Sequence, residues 1–218
     1  MGELEELEAR ITRCSLCPRL VEYREMVARQ KKKEFASWEY WGRPVPGFGD
    51  PHAKLMVVGL APAAHGGNRT GRMFTGDSSG QWLARALYRA GLANQPASTS
   101  KDDGLSLKGV FLTAVIRCAP PKNRPLPAEI LNCRPYLLEE IRLIDPRAYL
   151  ALGRVALAGL FHALSEVPPS FSHGKHVVLR GKPVIMSYHP SRQNTNTGKL
   201  TEQMLDLVVM EAKQVAGL

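Results

Sequence analysis

The sequence predicts an α/β fold, a three-layer α/β/α sandwich around a central four-stranded parallel sheet. Two observations carry this expectation. Four short apolar runs are spaced along the chain, each the length of a buried strand. Helical patterns lie between them, and strands that alternate with helices form a parallel sheet covered on both faces. The 218 residues, 44% hydrophobic and 22% charged, suffice for one such domain with a sizeable core. A single domain spanning 1–218 is therefore expected.

The elements follow in order. An acidic start, MGELEELEAR, reads as a helix. The first strand is Leu55–Leu60 (LMVVGL), and Ser79–Gly91 then carries Trp82, Leu83, Leu87 and Tyr88 mostly on one helical face. The second strand is Val110–Val115 (VFLTAV). Pro127–Ile144 opens with a proline suited to a first helical turn, and Pro135 inside it allows a kink or break near Arg134. Ala148–Leu152 (AYLAL) is the third strand, followed after Gly153 by a helix over Val155–Leu164. The fourth strand is Val184–Tyr188 (VIMSY), and Leu200–Val215 closes the chain as a helix. Residues 35–52, rich in aromatics, Pro and Gly, read as an ordered loop that either lines a cleft or packs as a connector.

Lysine and arginine total 29 against 20 acids, a net charge of +9. Several acids sit in the first helix, so the rest of the chain is more basic than the mean. This points to a polyanionic partner, nucleic acid above all. No apolar run is long enough to span a membrane, and the acidic N-terminus lacks the pattern of a secretory signal. A cytoplasmic protein is expected. Lys31–Lys33 read as a solvated helix end or as phosphate contacts.

Two strands deliver polar loops. The first pours into GLAPAAHGGNRTGRMFTGD (59–77), with five glycines between Gly59 and Gly76. Small residues at the carboxyl end of a buried strand let backbone N–H groups approach a flat or anionic ligand. The pattern is neither G-x-G-x-x-G nor a P-loop, which disfavours a nucleotide-binding protein. The fourth strand pours into HPSRQNTNTG (189–198), seven of whose residues, Ser191 to Thr197, are polar and contribute little to a core.

Four cysteines complete the pattern: Cys14 and Cys17 as C-x-x-C, and the separated Cys118 and Cys133. Cytoplasmic proteins seldom keep disulfides, so four thiols suggest a tetrathiolate metal site. One knuckle rather than two leans toward an iron–sulfur cluster, with zinc as the alternative. A redox pair at Cys14–Cys17 beside two core cysteines stays open.

The two long loop motifs and the four-cysteine pattern resemble uracil-DNA glycosylases, specifically the type B (family 5) branch, over nearly the whole chain. The resemblance implies a four-stranded parallel sheet between helices. It also implies a [4Fe–4S] cluster on Cys14, Cys17, Cys118 and Cys133, tying the N-terminal helix to the domain. The implied activity is hydrolysis of the N-glycosidic bond of damaged bases in DNA. The related type A enzymes carry Glu where this chain has Leu60, and Asn where it has Ala114. Type B enzymes share both losses and are of broader range, including uracil, hypoxanthine and xanthine.

That chemistry assigns candidate roles. The base must be flipped from the helix into a pocket. Phe74 is the stacking partner, with a core position as the alternative. The amides of Ala63 and Ala64 reach base oxygens. His189 donates a hydrogen bond to the departing base. Asp77 orients or activates water, or else caps the helix beginning near Ser79. Asn123 is a second candidate for positioning water or reading the base. His65, Asn68, Arg69 and Arg72 are expected around the lesion strand, and Arg192, Gln193, Asn194 and Asn196 as a polar wedge. The expected partner is DNA, double- or single-stranded, containing damaged bases, bound by a monomer. A non-catalytic metal-containing DNA-binding module is the remaining alternative.

Overall fold

The computed structural model describes residues 2–218. Four strands form the centre of the sheet: β2 (Leu55–Gly59), β3 (Val110–Ala114), β4 (Ala148–Leu152) and β6 (Lys182–Ser187). They are mutually parallel in the order β3-β2-β4-β6. Alternate residues of each strand serve opposite faces. Leu55 and Val57 of β2 join one core, with Leu83, Ala86 and Leu87 of α4 (Ser78–Arg89) and Leu205, Val208 and Val209 of α8 (Glu202–Ala216). Met56 and Val58 join the other, with Leu137, Ile141 and Ile144 of α5 (Pro127–Ile144) and Leu157 and Leu160 of α6 (Arg154–Ala163). The expected three layers are present.

The sheet has six strands rather than four. β1 (Phe48–Gly49) pairs antiparallel with β3, and β5 (His176–Leu179) pairs antiparallel with β6. Both are edge strands whose sequences carry little burial signal. β1 is two residues inside the aromatic loop segment. In β5 only Leu179 is fully buried. The β5–β6 hairpin turns at Arg180 and Gly181, both with positive φ as a type I′ turn requires.

Helix α5 runs without interruption through Pro135. The carbonyl of Leu131, which loses its donor there, lies on a face where both residues are exposed, so water can satisfy it. At the N-terminus, α1 (Glu3–Thr12) buries Leu7 and Ile11, and ion pairs Arg10–Glu139 and Arg142–Glu3 join it to α5. α2 (Pro18–Gln30) follows directly after Cys17, its N-cap.

The chain leaves β2 for β3 on one side and β4 for β6 on the other. The connections therefore diverge between the carboxyl ends of β2 and β4, which opens a crevice at that edge. The loops after β2, β3, β4 and β6 all emerge there.

Candidate active site

The loop after β2 folds back over its own strand. It contains one helical turn, α3 (Gly67–Thr70). Phe74 adopts a left-handed backbone (φ 49°) and lays its half-buried ring on the end of β2. A Cβ on Gly59 would meet the Phe74 ring at 2.5 Å, so only glycine permits this seat. The carbonyl of Ala63 accepts from the amides of Gly66 and Asn68, at 3.1 and 3.0 Å. The half-buried N–H groups of Ala63 and Ala64 have no protein acceptor among the described residues and remain available to a ligand.

Asp77 closes the loop and is the N-cap of α4, its Oδ1 accepting from the Gly80 amide at 2.7 Å. The capping alternative is therefore realised. It occupies one carboxylate oxygen. The other, Oδ2, faces Gly66, where a Cβ would approach it to 2.7 Å. Burial raises the Asp77 carboxyl above its usual range, while the Gly80 amide and the charges of Arg192 and Arg69 pull the other way. A partly desolvated carboxylate with one uncommitted oxygen is a stronger base than a solvated one.

His189 arrives from β6. Its ring centroid lies 6.4 Å from that of Phe74, tilted by 30°. Its backbone is held on two sides: the carbonyl accepts from Asn194 Nδ2 at 2.8 Å and from the Ser191 amide at 2.8 Å. Gly153, at the end of β4 with φ +96°, packs on His189, and a Cβ there would touch its Cβ at 3.4 Å. Burial holds the imidazole down to about 4, with no opposing partner. At neutral pH the ring is uncharged and keeps one N–H to donate. Just before it, Tyr188 donates its amide to His173 Nδ1 at 3.1 Å and stacks on that ring.

The structure brings Ala63, Ala64, Phe74, Asp77 and His189 to one edge. His65 sits beside them, its Nδ1 3.0 Å from the Tyr40 hydroxyl, and burial together with Lys32 and Arg69 lowers its imidazole. Arg192 and Asn196 are exposed on α7 (Arg192–Asn196), where the Arg192 charge reaches Asp77. Asn123 is exposed in the turn after β3, at the same edge, with a left-handed backbone.

Four expected strand contacts are corrected. Asn68 is fully buried and donates to the carbonyls of Arg24 (3.1 Å) and Ala64 (3.4 Å). Arg69 donates to the carbonyls of His65 and Gly76, both at 2.8 Å, and its guanidinium lies against the rings of Phe35 and Trp38. Arg72 is buried against Asp103, Ser98 and Thr75. Asn194 holds the His189 carbonyl instead of forming part of a wedge. Each satisfies backbone or buried groups that a glycine-rich loop leaves open.

Sequence reasoning missed Tyr40, Phe35, Trp38, Gly153 and His173. The aromatic content of 35–52 was the available signal for the first three, and a glycine directly after a buried strand was the signal for the fourth. Nothing in the sequence singles out His173.

The four cysteines are brought together from three parts of the chain. Cys14, Cys17, Cys118 and Cys133 all line one small cavity, with Leu20, Arg24 and Arg117. All four are free thiols. Burial pushes Cys118 up to about 11 and Cys133 to about 12. Arg24 Nη1 donates to Cys118 Sγ at 3.0 Å, and the Nε atoms of Arg24 and Arg117 are buried without a partner among the described residues. Arg117 is anchored by a buried ion pair with Glu140 at 2.7 Å. Among the described residues, no three His, Cys, Asp or Glu side chains are placed to hold a single metal ion.

Residues 46–213 match the family described as the uracil DNA glycosylase superfamily. The chain is 49% identical to the type-5 uracil-DNA glycosylase of Pyrobaculum aerophilum, covering 99% of this chain and 95% of that protein. It is 51% identical to the type-5 uracil-DNA glycosylase of Thermus thermophilus, covering 95% and 96%. Similarity to the type-4 uracil-DNA glycosylase of Pyrobaculum aerophilum is lower, 29% over 87% of this chain and 83% of that protein.

Proposed function

Because the chain belongs to the uracil DNA glycosylase superfamily, we propose that it is a hydrolase that releases uracil from DNA by cleaving the N-glycosidic bond. The observation that carries this reading is the approach of the Phe74 and His189 rings, from two different loops, at the edge where Asp77 closes the first of those loops.

The proposed reaction starts with a base turned out of the duplex, since its glycosidic bond is inaccessible inside the stack. The base lies on Phe74, and the free amides of Ala63 and Ala64 donate to its carbonyl oxygens. Cleavage leaves negative charge on the base and positive charge on the sugar. The neutral imidazole of His189 donates a hydrogen bond to the base anion without surrendering a proton, acting as a preorganised dipole in a partly desolvated site. Asp77 Oδ2 faces the cationic sugar and accepts the proton of the attacking water. Arg192 lies on the rim, where it meets a phosphate.

Substrate range follows from what the site lacks. Gly59 and Ala114 are register partners at the carboxyl ends of β2 and β3. Neither offers a side-chain hydrogen bond to a base edge. Recognition then rests on backbone donors, which suit the carbonyls of uracil, hypoxanthine and xanthine alike.

We further propose that Cys14, Cys17, Cys118 and Cys133 hold a [4Fe–4S] cluster. Four thiols around a shared cavity, only two of them in a C-x-x-C knuckle, suit a multinuclear group better than a lone zinc. Held by these residues, the group would tie Cys14 and Cys17 at the α1–α2 junction to Cys133 of α5 and to Cys118 in the loop after β3. Arg24 and Arg117 offset the negative charge of its thiolates.

The test is a panel of duplex oligonucleotides carrying uracil, hypoxanthine, xanthine or only normal bases, with free base measured after a single turnover. Release of uracil and of the two deaminated purines, with none from the normal duplex, is expected. No release of uracil defeats the activity, and uracil alone defeats the broad range. Iron and acid-labile sulfide near four each per chain support the cluster, while stoichiometric zinc without sulfide overturns it.

A further inference from the structure

We infer that Arg24 and Asn68 are positioning residues that couple the cysteine cavity to the loop facing the base. The inference rests on the tetrathiolate reading of that cavity.

The connection is continuous. At one end, the buried guanidinium of Arg24 donates through Nη1 to Cys118 Sγ (3.0 Å) and to the Cys14 carbonyl (3.3 Å). It thereby touches two of the three segments that bring cysteines to the cavity. The main-chain carbonyl of the same residue accepts from Asn68 Nδ2 at 3.1 Å. The Asn68 amide also donates to the Ala64 carbonyl, and the Asn68 backbone amide to that of Ala63 at 3.0 Å. The Ala63–Ala64 peptide, which presents the Ala64 N–H, is thus held by the Asn68 backbone amide, and the following Ala64–His65 peptide by the buried Asn68 side chain.

Two features show that this chain of contacts is more than packing. Asn68 is fully buried while its Oδ1 lacks a partner among the described residues, so its place costs desolvation that its donors must offset. Arg24 is buried with Nε unpartnered, and its guanidinium lies against the Cys118 sulfur. A buried cation with incomplete partners needs negative charge nearby, and four thiolates supply it. Loading the cavity would fix Arg24 and the turn of α2 that carries it, the Arg24 carbonyl would hold Asn68, and Asn68 would hold the loop segment that carries the Ala64 amide.

Hydrogen exchange at the amides of Gly66, Asn68, Arg69 and Thr70 reads this directly, with strands β4 and β6 as the control for global folding. In wild-type protein, removing iron with a chelator should speed exchange in the loop roughly five- to tenfold, the loss of one modest hydrogen bond, and leave the control unchanged. Asn68→Ala should keep its iron, exchange as fast as the stripped protein, and no longer respond to chelation. It should also lower kcat with little change in KM, because the amides act on the transition state. Loop exchange indifferent to chelation in wild-type protein overturns the inference, as does an Asn68→Ala loop that still responds. Protein that never takes up metal defeats the cofactor reading alone. Arg24→Met then decides the link: faster loop exchange supports it, and unchanged exchange overturns it.

Discussion

Asp77→Asn separates two tasks that one carboxylate performs. The side chain caps α4 through Oδ1, 2.7 Å from the Gly80 amide, and leaves Oδ2 toward Gly66. Asparagine keeps an oxygen for the cap and ranks with aspartate at that position, so stability should move by no more than about 0.5 kcal/mol. Burial already disfavours the Asp77 charge, so removing it relieves a desolvation cost while forfeiting attraction from Arg192 and Arg69. Catalysis should respond differently. Without a carboxylate to accept the proton of water, the single-turnover rate should fall roughly 10²-fold or more. Asp77→Ala removes both functions and should add a loss of about 1 kcal/mol in stability. Free base released from a uracil duplex gives the rate, and denaturant titration gives stability. A rate for Asp77→Asn within twofold of wild type would refute the reasoning. Asp77 would then be a cap only, and His189 with the backbone amides would carry the chemistry.

Three further outcomes follow. Gly66→Ala should slow base release roughly 10- to 100-fold in folded protein, because the new Cβ would stand 2.7 Å from Asp77 Oδ2 and displace it; normal kinetics would contradict this. The His189 ring, followed by NMR, should stay neutral until pH falls to about 4. Its folded value lies below the unfolded 6.5, so the unfolded chain binds more protons between pH 6.5 and 4, and stability rises with pH across that window. His189→Gln should flatten this dependence by about 3 kcal/mol at most, since the ring is only half-buried. The +9 charge should make the logarithm of DNA affinity fall linearly with the logarithm of salt concentration, and a flat response would make the basic surface incidental.

What could be read in advance follows from where each signal is stored. The four central strands were legible because burial on both faces forces continuous apolar runs, as in LMVVG of β2. β1 and β5 were not, because an edge strand needs only one paired side and little apolar content. Phe74, Asp77 and His189 were legible as residue types on loops delivered by strands. The roles of Asn68, Arg69 and Arg72 were not. A loop with five glycines has few side chains to satisfy its own carbonyls, so its polar residues turn inward, to Ala64, His65 and Gly76. Their residue types alone look identical to ligand contacts. The cysteine spacing indicated a common site, but the arginines that line it come from α2 and the loop after β3, and only the fold unites them.

In the proposed reaction, the carboxyl edge of the sheet, where the loops after β2 and β6 meet, takes a base out of the helix and releases it. A crystal structure of the protein bound to a uracil-containing duplex tests this most directly, with the sugar made uncleavable by fluorine at C2′. Expected is an extrahelical uracil stacked on Phe74, with the amides of Ala63 and Ala64 on its carbonyl oxygens and the His189 ring within hydrogen-bond reach. A uracil still stacked in the duplex, or seated at another edge of the sheet, would contradict it.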